Sequence, residues 1–314
     1  MRDPRRGMTD VLMMDSYETA LRETAMAWLD ERTSYDGQTF TWEELSAFEF
    51  EGERIALMDH QRGIRKPSKL RAALSIRTTF TPEGQAPPYE DRVGQDGFPR
   101  YKYQGTDPLN YDNVAVRQAL VLHLPLIWFV GVARGRYLPV YPVWVIGEET
   151  DRLQFTVALD RAAPLPTAFG YQESSVERRY VERLTKQRLH QPVFRAQVLA
   201  AYDNRCAICR LRHVPLLDAA HILPDSHPNG LAVVPNGLSL CKIHHAAFDQ
   251  NLIGVRPDHI VEVHPRIRRE SDGPMLLHGL QEMHGASLSV PARASARPDQ
   301  DRLAERYAEF LHAG

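Results

Sequence analysis

The sequence predicts an α+β protein in two parts: an N-terminal mixed α/β domain built on a β-meander or partly closed barrel, and a C-terminal strand-strand-helix unit folded around a metal. Three observations carry this prediction. Residues 125–160 hold the densest β-forming run of the chain, PLIWFVGV, YLPVYPVWVIGE and RLQFTVALD, broken only by short turns. All three cysteines fall in one short compass, as a C-x2-C pair (Cys206, Cys209) and a C-x2-H pair (Cys241, His244). At 314 residues and 43% hydrophobic content, the chain can bury two cores.

Taken in order, residues 1–14 read as a frayed tail. From Ser16 onward, Tyr17, Leu21, Ala25 and Trp28 recur at helical spacing and predict a helix with a core-facing stripe. Thr41 and Glu44 form a capping box for a short helix carrying Trp42 and Leu45. FEFEGERIAL alternates around Gly52 and predicts a hairpin. The next segment concentrates Arg62, Arg65, Lys66, Lys69 and Arg71. Such density suits a phosphate backbone, whose condensed counterions the cations displace, and it equally suits a solvated basic face. The proline- and glycine-rich stretch 81–97 reads as a long functional loop. RYKYQG follows as a strand, and Asp112 is placed to cap a helix from Asn113 to His123.

The meander comes next. Tyr101, Tyr103, Trp128, Tyr141 and Trp144 cluster near its strands. Sheets favour aromatic residues as core; the sharper reading is a pocket that stacks an extruded base. Arg161–Ser175 has the composition of a linker. Ser174 and Glu177 form a capping box for a basic helix that Pro192 ends or kinks, and PVFRAQVLAAY makes a second helix leading into the first cysteine pair. From Glu177 to Arg212, nine lysines and arginines face only Glu177, Glu182 and Asp203. The formal net charge of the whole chain is −2, so any affinity for nucleic acid is local. Candidate DNA contacts are Arg62, Arg65 and Lys66 in the first basic segment and Arg179, Arg183 and Lys186 in the second.

Cys206, Cys209, Cys241 and His244 match a closed, tetrahedral zinc site, because thiolates and a neutral imidazole satisfy a four-coordinate ion. Between the two knuckles an apolar strand leads to His221. Asn236-Gly237 opens a second strand that delivers Cys241, and KIHHAAFD forms a helix with His245 and Asp249 one turn apart on one face. His213 and His227 lie in turn-like surroundings and read as bystanders.

Over about residues 200–265, this order of a histidine strand, an Asn-Gly turn and a C-x2-H-H helix inside a zinc frame resembles the His-Asn-His (HNH) endonucleases of ββα-metal fold. The resemblance implies a divalent-metal-dependent nuclease, with His221, Asn236 and His245 in the positions of the family's three named residues. Hydrolysis of a phosphodiester needs an activated water and a cation at the scissile phosphate. His221 is the candidate general base, and His245 with Asp249 would hold magnesium or manganese. Asn236 is expected to lock the turn that orients His221. Many members carry an acidic ligand just before the first histidine; Ala220 stands there, so Asp249 or Asp218 is left to supply the carboxylate.

Beyond the helix, NLIGVRPDHIVEVHPRI reads as strands beside the ββα unit, and Leu303, Tyr307 and Phe310 mark an apolar face on a helix from Asp299 to His312. The expected divisions are a DNA-recognition domain over 1–165, a basic helical linker over 166–202, the HNH domain over 203–270 and a helical extension over 271–314. The two-part architecture resembles modification-dependent restriction endonucleases, in which a β-barrel reader of methylated or hydroxymethylated cytosine precedes an HNH domain. That implies double-stranded DNA, modified or not, as partner, and a homodimer if both strands are cut. No apolar run has the length of a membrane span, and the cysteines are all claimed by zinc, so a cytoplasmic protein is expected. A zinc-stabilised DNA-binding protein without catalysis is the competing reading, separated from a nuclease by the need for a second metal.

Overall fold

The computed structural model describes residues 4–81, 94, 96–160 and 181–313, with backbone alone over 4–15. It divides into two compact units, Met1–Pro192 and Val193–Gly314. No described helix is long and apolar enough to cross a membrane.

In the first unit, α1 runs from Pro4 to Arg32. The helix therefore starts well before Ser16, with proline at its first position, where the ring's fixed φ fits a helix and its missing N–H costs nothing. Its stripe of Leu21, Ala25 and Leu29 is buried with Phe48, Leu57, Ile127 and Phe129, and each large side chain so buried contributes about 2 kcal/mol. A buried ion pair fixes its rotation. Glu18 holds Arg22 at 2.7 Å, and the backbone N–H groups of Arg71 and Ala72 donate to the same carboxylate. The short helix α2 (Trp42–Leu45) carries the capping box expected of Thr41 and Glu44. β1 (Glu49–Phe50) and β2 (Glu53–Arg54) form the hairpin, with Glu51 and Gly52 both at positive φ in its turn.

The strands β3 (Ile64–Arg65), β4 (Ser75–Thr78), β5 (Arg100–Lys102), β6 (Leu126–Ala133), β7 (Arg136–Glu149) and β8 (Gln154–Ala158) make one sheet curled into half a barrel, in the order β3-β4-β6-β7-β8-β5. The meander β6-β7-β8 is antiparallel, as its spacing predicts, whereas β4 lies parallel to β6. A parallel pair needs a long crossover, and here the crossover contains β5 and the helix α3 (Tyr111–Val121). The cap of α3 is Asn110 rather than Asp112: the Asn110 side chain accepts the Asp112 N–H at 2.9 Å. Asp112 sits inside the first turn, buried, 3.7 Å from Arg62. The linker Arg161–Ser175, the capping box of Ser174 with Glu177, and most of loop 81–97 lie outside the described residues.

Pro192 does not end its helix. The chain is helical from Val181 through α4 (Gln191–Ala201), with a wide π turn at Lys186–His190 just before the proline. Such a turn absorbs the missing i→i−4 hydrogen bond without breaking the rod.

In the second unit, β9 (Leu217–His221) pairs antiparallel with β10 (Gly237–Cys241), and α5 (Lys242–Asp249) follows at once. A hairpin of β11 (Ile253–Val255) and β12 (Val261–Val263) comes next, then the short helices α6 (Pro265–Arg269) and α7 (Pro274–Gly279) and the longer α8 (Gln300–His312), capped by Asp299. Phe194, Val198, Leu217, Leu238, Leu240, Phe248, Ile253 and Leu303 share one core. The ββα element is thus held from several sides by the rest of its unit.

Candidate active site

Register decides which residues meet. Gly237 lies opposite His221, Ser239 opposite Ala219 and Leu240 opposite Asp218. Successive side chains of a strand point to opposite faces, so Asp218 and Ala220 share one face of β9, and His221 belongs to the other.

On the His221 face, α4 closes in. The imidazole is stacked on the Phe194 ring, with centroids 4.1 Å apart and planes 21° from parallel. The opposing Gly237 leaves room for that helix, since a Cβ there would lie 2.4 Å from Val198 and 3.0 Å from Phe194. Asn236 is fully buried. Its side-chain oxygen accepts the Leu223 N–H at 3.0 Å, while its amide nitrogen donates to the carbonyls of Leu223 and Leu231, each at 3.0 Å. Asn236 therefore ties both ends of the loop that follows His221.

On the other face, Asp218 reaches α5. Its carboxylate lies 3.5 Å from Nδ1 of His245, and Nε2 of the same ring lies 3.3 Å from Asp249. Lys242 approaches the same Asp218 oxygen at 2.7 Å, and Arg195 comes within 3.5 Å of the other. Burial alone would raise the Asp218 carboxyl; the Lys242 ammonium and the His245 ring outweigh it and hold the group below the usual carboxylate range. One imidazole thus stands between two carboxylates. Asp218 occupies the face that Ala220 leaves without an acid, two residues earlier on the strand. Lys242, Arg195 and Phe194 carry no sequence signal for these positions, because a tertiary contact brings each of them in.

Cys206, Cys209, Cys241 and His244 bring one ligand atom each to within 4.8 Å of one another. Nδ1 of His244 lies 3.2 Å from the Cys241 sulfur and 3.5 Å from that of Cys206. Its Nε2–H donates to the Gly279 carbonyl at 2.8 Å, which orients the ring with Nδ1 toward the sulfurs. Hydrogen bonds from Cys209 and Cys241 hold the Cys206 thiol far below the ordinary thiol range. Burial opposes protonation of His244, yet its bonds to Cys206 and Cys241 push it up to about 10. Three sulfurs and one imidazole this close, with a negative sulfur among them, could hold a zinc ion.

The remaining candidates are scattered. Tyr101, Tyr103 and Trp128 are core residues, not walls of an open pocket. Tyr101 donates to the Gly63 carbonyl, Trp128 to the Thr78 hydroxyl, and Tyr103 bonds Glu148. Sheet packing claims all three, as it claims most aromatics on pleated surfaces. Trp144 is half-buried. Tyr141 donates to Asp30 at 2.9 Å and lines a cavity of about 330 Å³ with Asp30, Thr33, Gln38 and Arg188. Arg62 is exposed and Lys66 lies over the Tyr111 ring, but Arg65 donates to the Ala56 carbonyl and Arg71 to Glu18. Arg183 and Lys186 are exposed; Arg179 lies outside the described residues. His227, read as a bystander, is 3.0 Å from Glu305 of α8.

Residues 206–256 match the family model described as HNH endonuclease, so this stretch is an HNH endonuclease domain and the chain is a nuclease. No curated protein matches the chain. Among solved structures, it is similar to the modification-dependent TagI restriction endonuclease, at 18% identity and a TM-score of 0.30, covering 88% of this chain and 93% of that one. It is also similar to the Type IV phosphorothioation-dependent restriction endonuclease ScoMcrA, at 14% identity and a TM-score of 0.26, covering 89% of this chain and 56% of that one.

Proposed function

We propose that the chain is a divalent-metal-dependent DNA endonuclease that hydrolyses phosphodiester bonds at β9, β10 and α5, and that it serves as a restriction enzyme whose first unit selects the DNA. The observation that carries this reading is the line Asp218–His245–Asp249, in which one imidazole lies 3.5 Å and 3.3 Å from two carboxylates on the α5 side of the strand. Oxygen donors around one imidazole suit magnesium or manganese. The 2.7 Å approach of Lys242 marks a place where positive charge is already stabilised.

In this reading His245 holds the ion together with Asp218 or Asp249, and Cys206, Cys209, Cys241 and His244 hold a structural zinc. A bound magnesium or manganese ion would supply charge neutralisation at the scissile phosphate. His221, the last residue of β9, takes the proton of the attacking water at its imidazole, on a phosphate that reaches round the end of the strand from the α5 side. Phe194 fixes the plane of that ring, and Asn236 fixes the backbone just beyond it. Residues 1–165 select the substrate, 166–202 link, 203–270 cut and 271–314 buttress the cutting domain. Arg62, Lys66, Arg183 and Lys186 supply phosphate contacts. Cutting both strands in one encounter would favour two copies, one site for each strand.

The test is cleavage of plasmid from hosts with and without cytosine methylation, in magnesium or manganese. His221→Ala should lower the rate about a thousandfold, the scale of a lost general base, with DNA binding retained. Cutting confined to the methylated plasmid supports modified-base selection, and equal cutting of both removes it. A His221→Ala variant that cuts at the normal rate would remove the base assignment. No cutting with either metal would favour a zinc-stabilised DNA-binding protein.

A further inference from the structure

The C-terminal helix α8 lies beyond the stretch that matches the HNH family, yet its contacts lead back to the candidate metal helix. Arg306 is 8% exposed, an unusual setting for a guanidinium. It donates to the Phe248 carbonyl at 2.7 Å and to the Asn251 side chain, pairs with Glu309 at 3.0 Å, and lies over the Phe248 ring at 4.8 Å. These are the residues that end α5. Asn251 adopts a positive φ, its N–H donates to the Phe248 carbonyl, and the Leu252 N–H donates to the Ala247 carbonyl. That is a Schellman ending, in which orphan carbonyls of the last turn are satisfied by the two residues past the cap.

We infer that Arg306 is a positioning residue for metal binding: by gripping Phe248 and Asn251 on either side of Asp249, it holds the end of α5 so that Asp249 stays beside His245. The inference rests on the proposal that this pair faces the catalytic ion. Three features support it. The guanidinium places positive charge at a helix C-terminus, where the helix dipole favours it. The Arg306–Phe248 hydrogen bond is buried, so water does not compete for it. The rest of α8 is fastened independently, since Asp299 N–H donates to the Pro235 carbonyl, His227 pairs with Glu305, Tyr307 bonds Glu262, and Phe310 covers Gly254. Arg306 can therefore be removed with the helix still docked.

The experiment uses the full-length, zinc-loaded protein and measures manganese binding by calorimetry, with plasmid cleavage against metal concentration alongside. Arg306→Gln should weaken manganese binding roughly tenfold, the lower end of what losing an outer-shell partner costs, and shift the half-saturating metal concentration of cleavage by the same factor. The zinc content should stay unchanged. Arg306→Lys, which keeps the charge, should recover part of the loss and supplies the measurement if the glutamine variant does not fold. Tyr307→Phe loosens the same helix at a different point and should leave manganese affinity as it was. Wild-type affinity in Arg306→Gln, or an equal loss in Tyr307→Phe, would overturn the inference. Manganese binding that survives His245→Ala undiminished would instead sink the metal-site reading itself.

Discussion

Asn236 and Asp218 show what single residues do at this site. Asn236 was expected to lock a turn, and its three hydrogen bonds reach across the loop from Leu223 to Leu231. Asn236→Ala would take from the buried Leu223 both the acceptor of its N–H and the donor to its carbonyl, while the Leu231 carbonyl keeps the Val233 N–H. It should cost about 3 kcal/mol, read as a lower urea midpoint with unchanged slope, and cleavage should fall as the loop after His221 loosens. Asp218 was one of two carboxylates left open by Ala220. Period-two alternation of β9 puts positions 218 and 220 on one face, so the acid beside His245 could have been derived from strand geometry once the strand was placed. Arg195 and Lys242 could not, since only packing brings them to that carboxylate.

At the scale of elements, short stretches with a strong local signal formed as their residues dictate. The capping box of α2, the hairpin turn at Glu51-Gly52, the β6-β7-β8 meander and the ββα order all follow local rules of capping, turn chemistry and alternation. Local rules compete at two places. Asn110 and Asp112 can each cap a helix, and Asn110 won by reaching the N–H two residues on. Pro192 ordinarily stops a helix, but the π turn before it absorbs the defect. Docking of α8 shows how one small residue sets an element's position. A Cβ on Gly254 would lie 2.6 Å from the Phe310 ring. Gly254→Ala should therefore lift the helix and destabilise its unit by about 2 kcal/mol, seen as a lower Tm. Gly273→Ala has open space at its Cβ and should leave Tm unchanged.

For the whole molecule, two compact units with separate cores imply two separable stabilities. A zinc ion held by Cys206, Cys209, Cys241 and His244 would couple metal binding to folding of the second unit alone. Stripping it with a chelator, or making Cys206→Ala, should abolish the melting transition of that unit and all cleavage. The transition of the first unit should persist at its original temperature. Calorimetry on the full chain checks both, and a single transition that shifts as one would contradict independent units.

What the sequence determined by itself was pattern carried by spacing: the two knuckles whose Cys206, Cys209, Cys241 and His244 the structure gathers, and the strand-strand-helix order on which His221, Asn236 and His245 sit, because ligand spacing and strand alternation are local. Tertiary structure alone decided the parallel pairing of β4 with β6, the burial of Tyr101, Tyr103 and Trp128, the stacking of Phe194 on His221, and the grip of Arg306 on α5. Each of these joins residues distant in the chain. Such contacts depend on how whole faces pack, and no short run of residues records that.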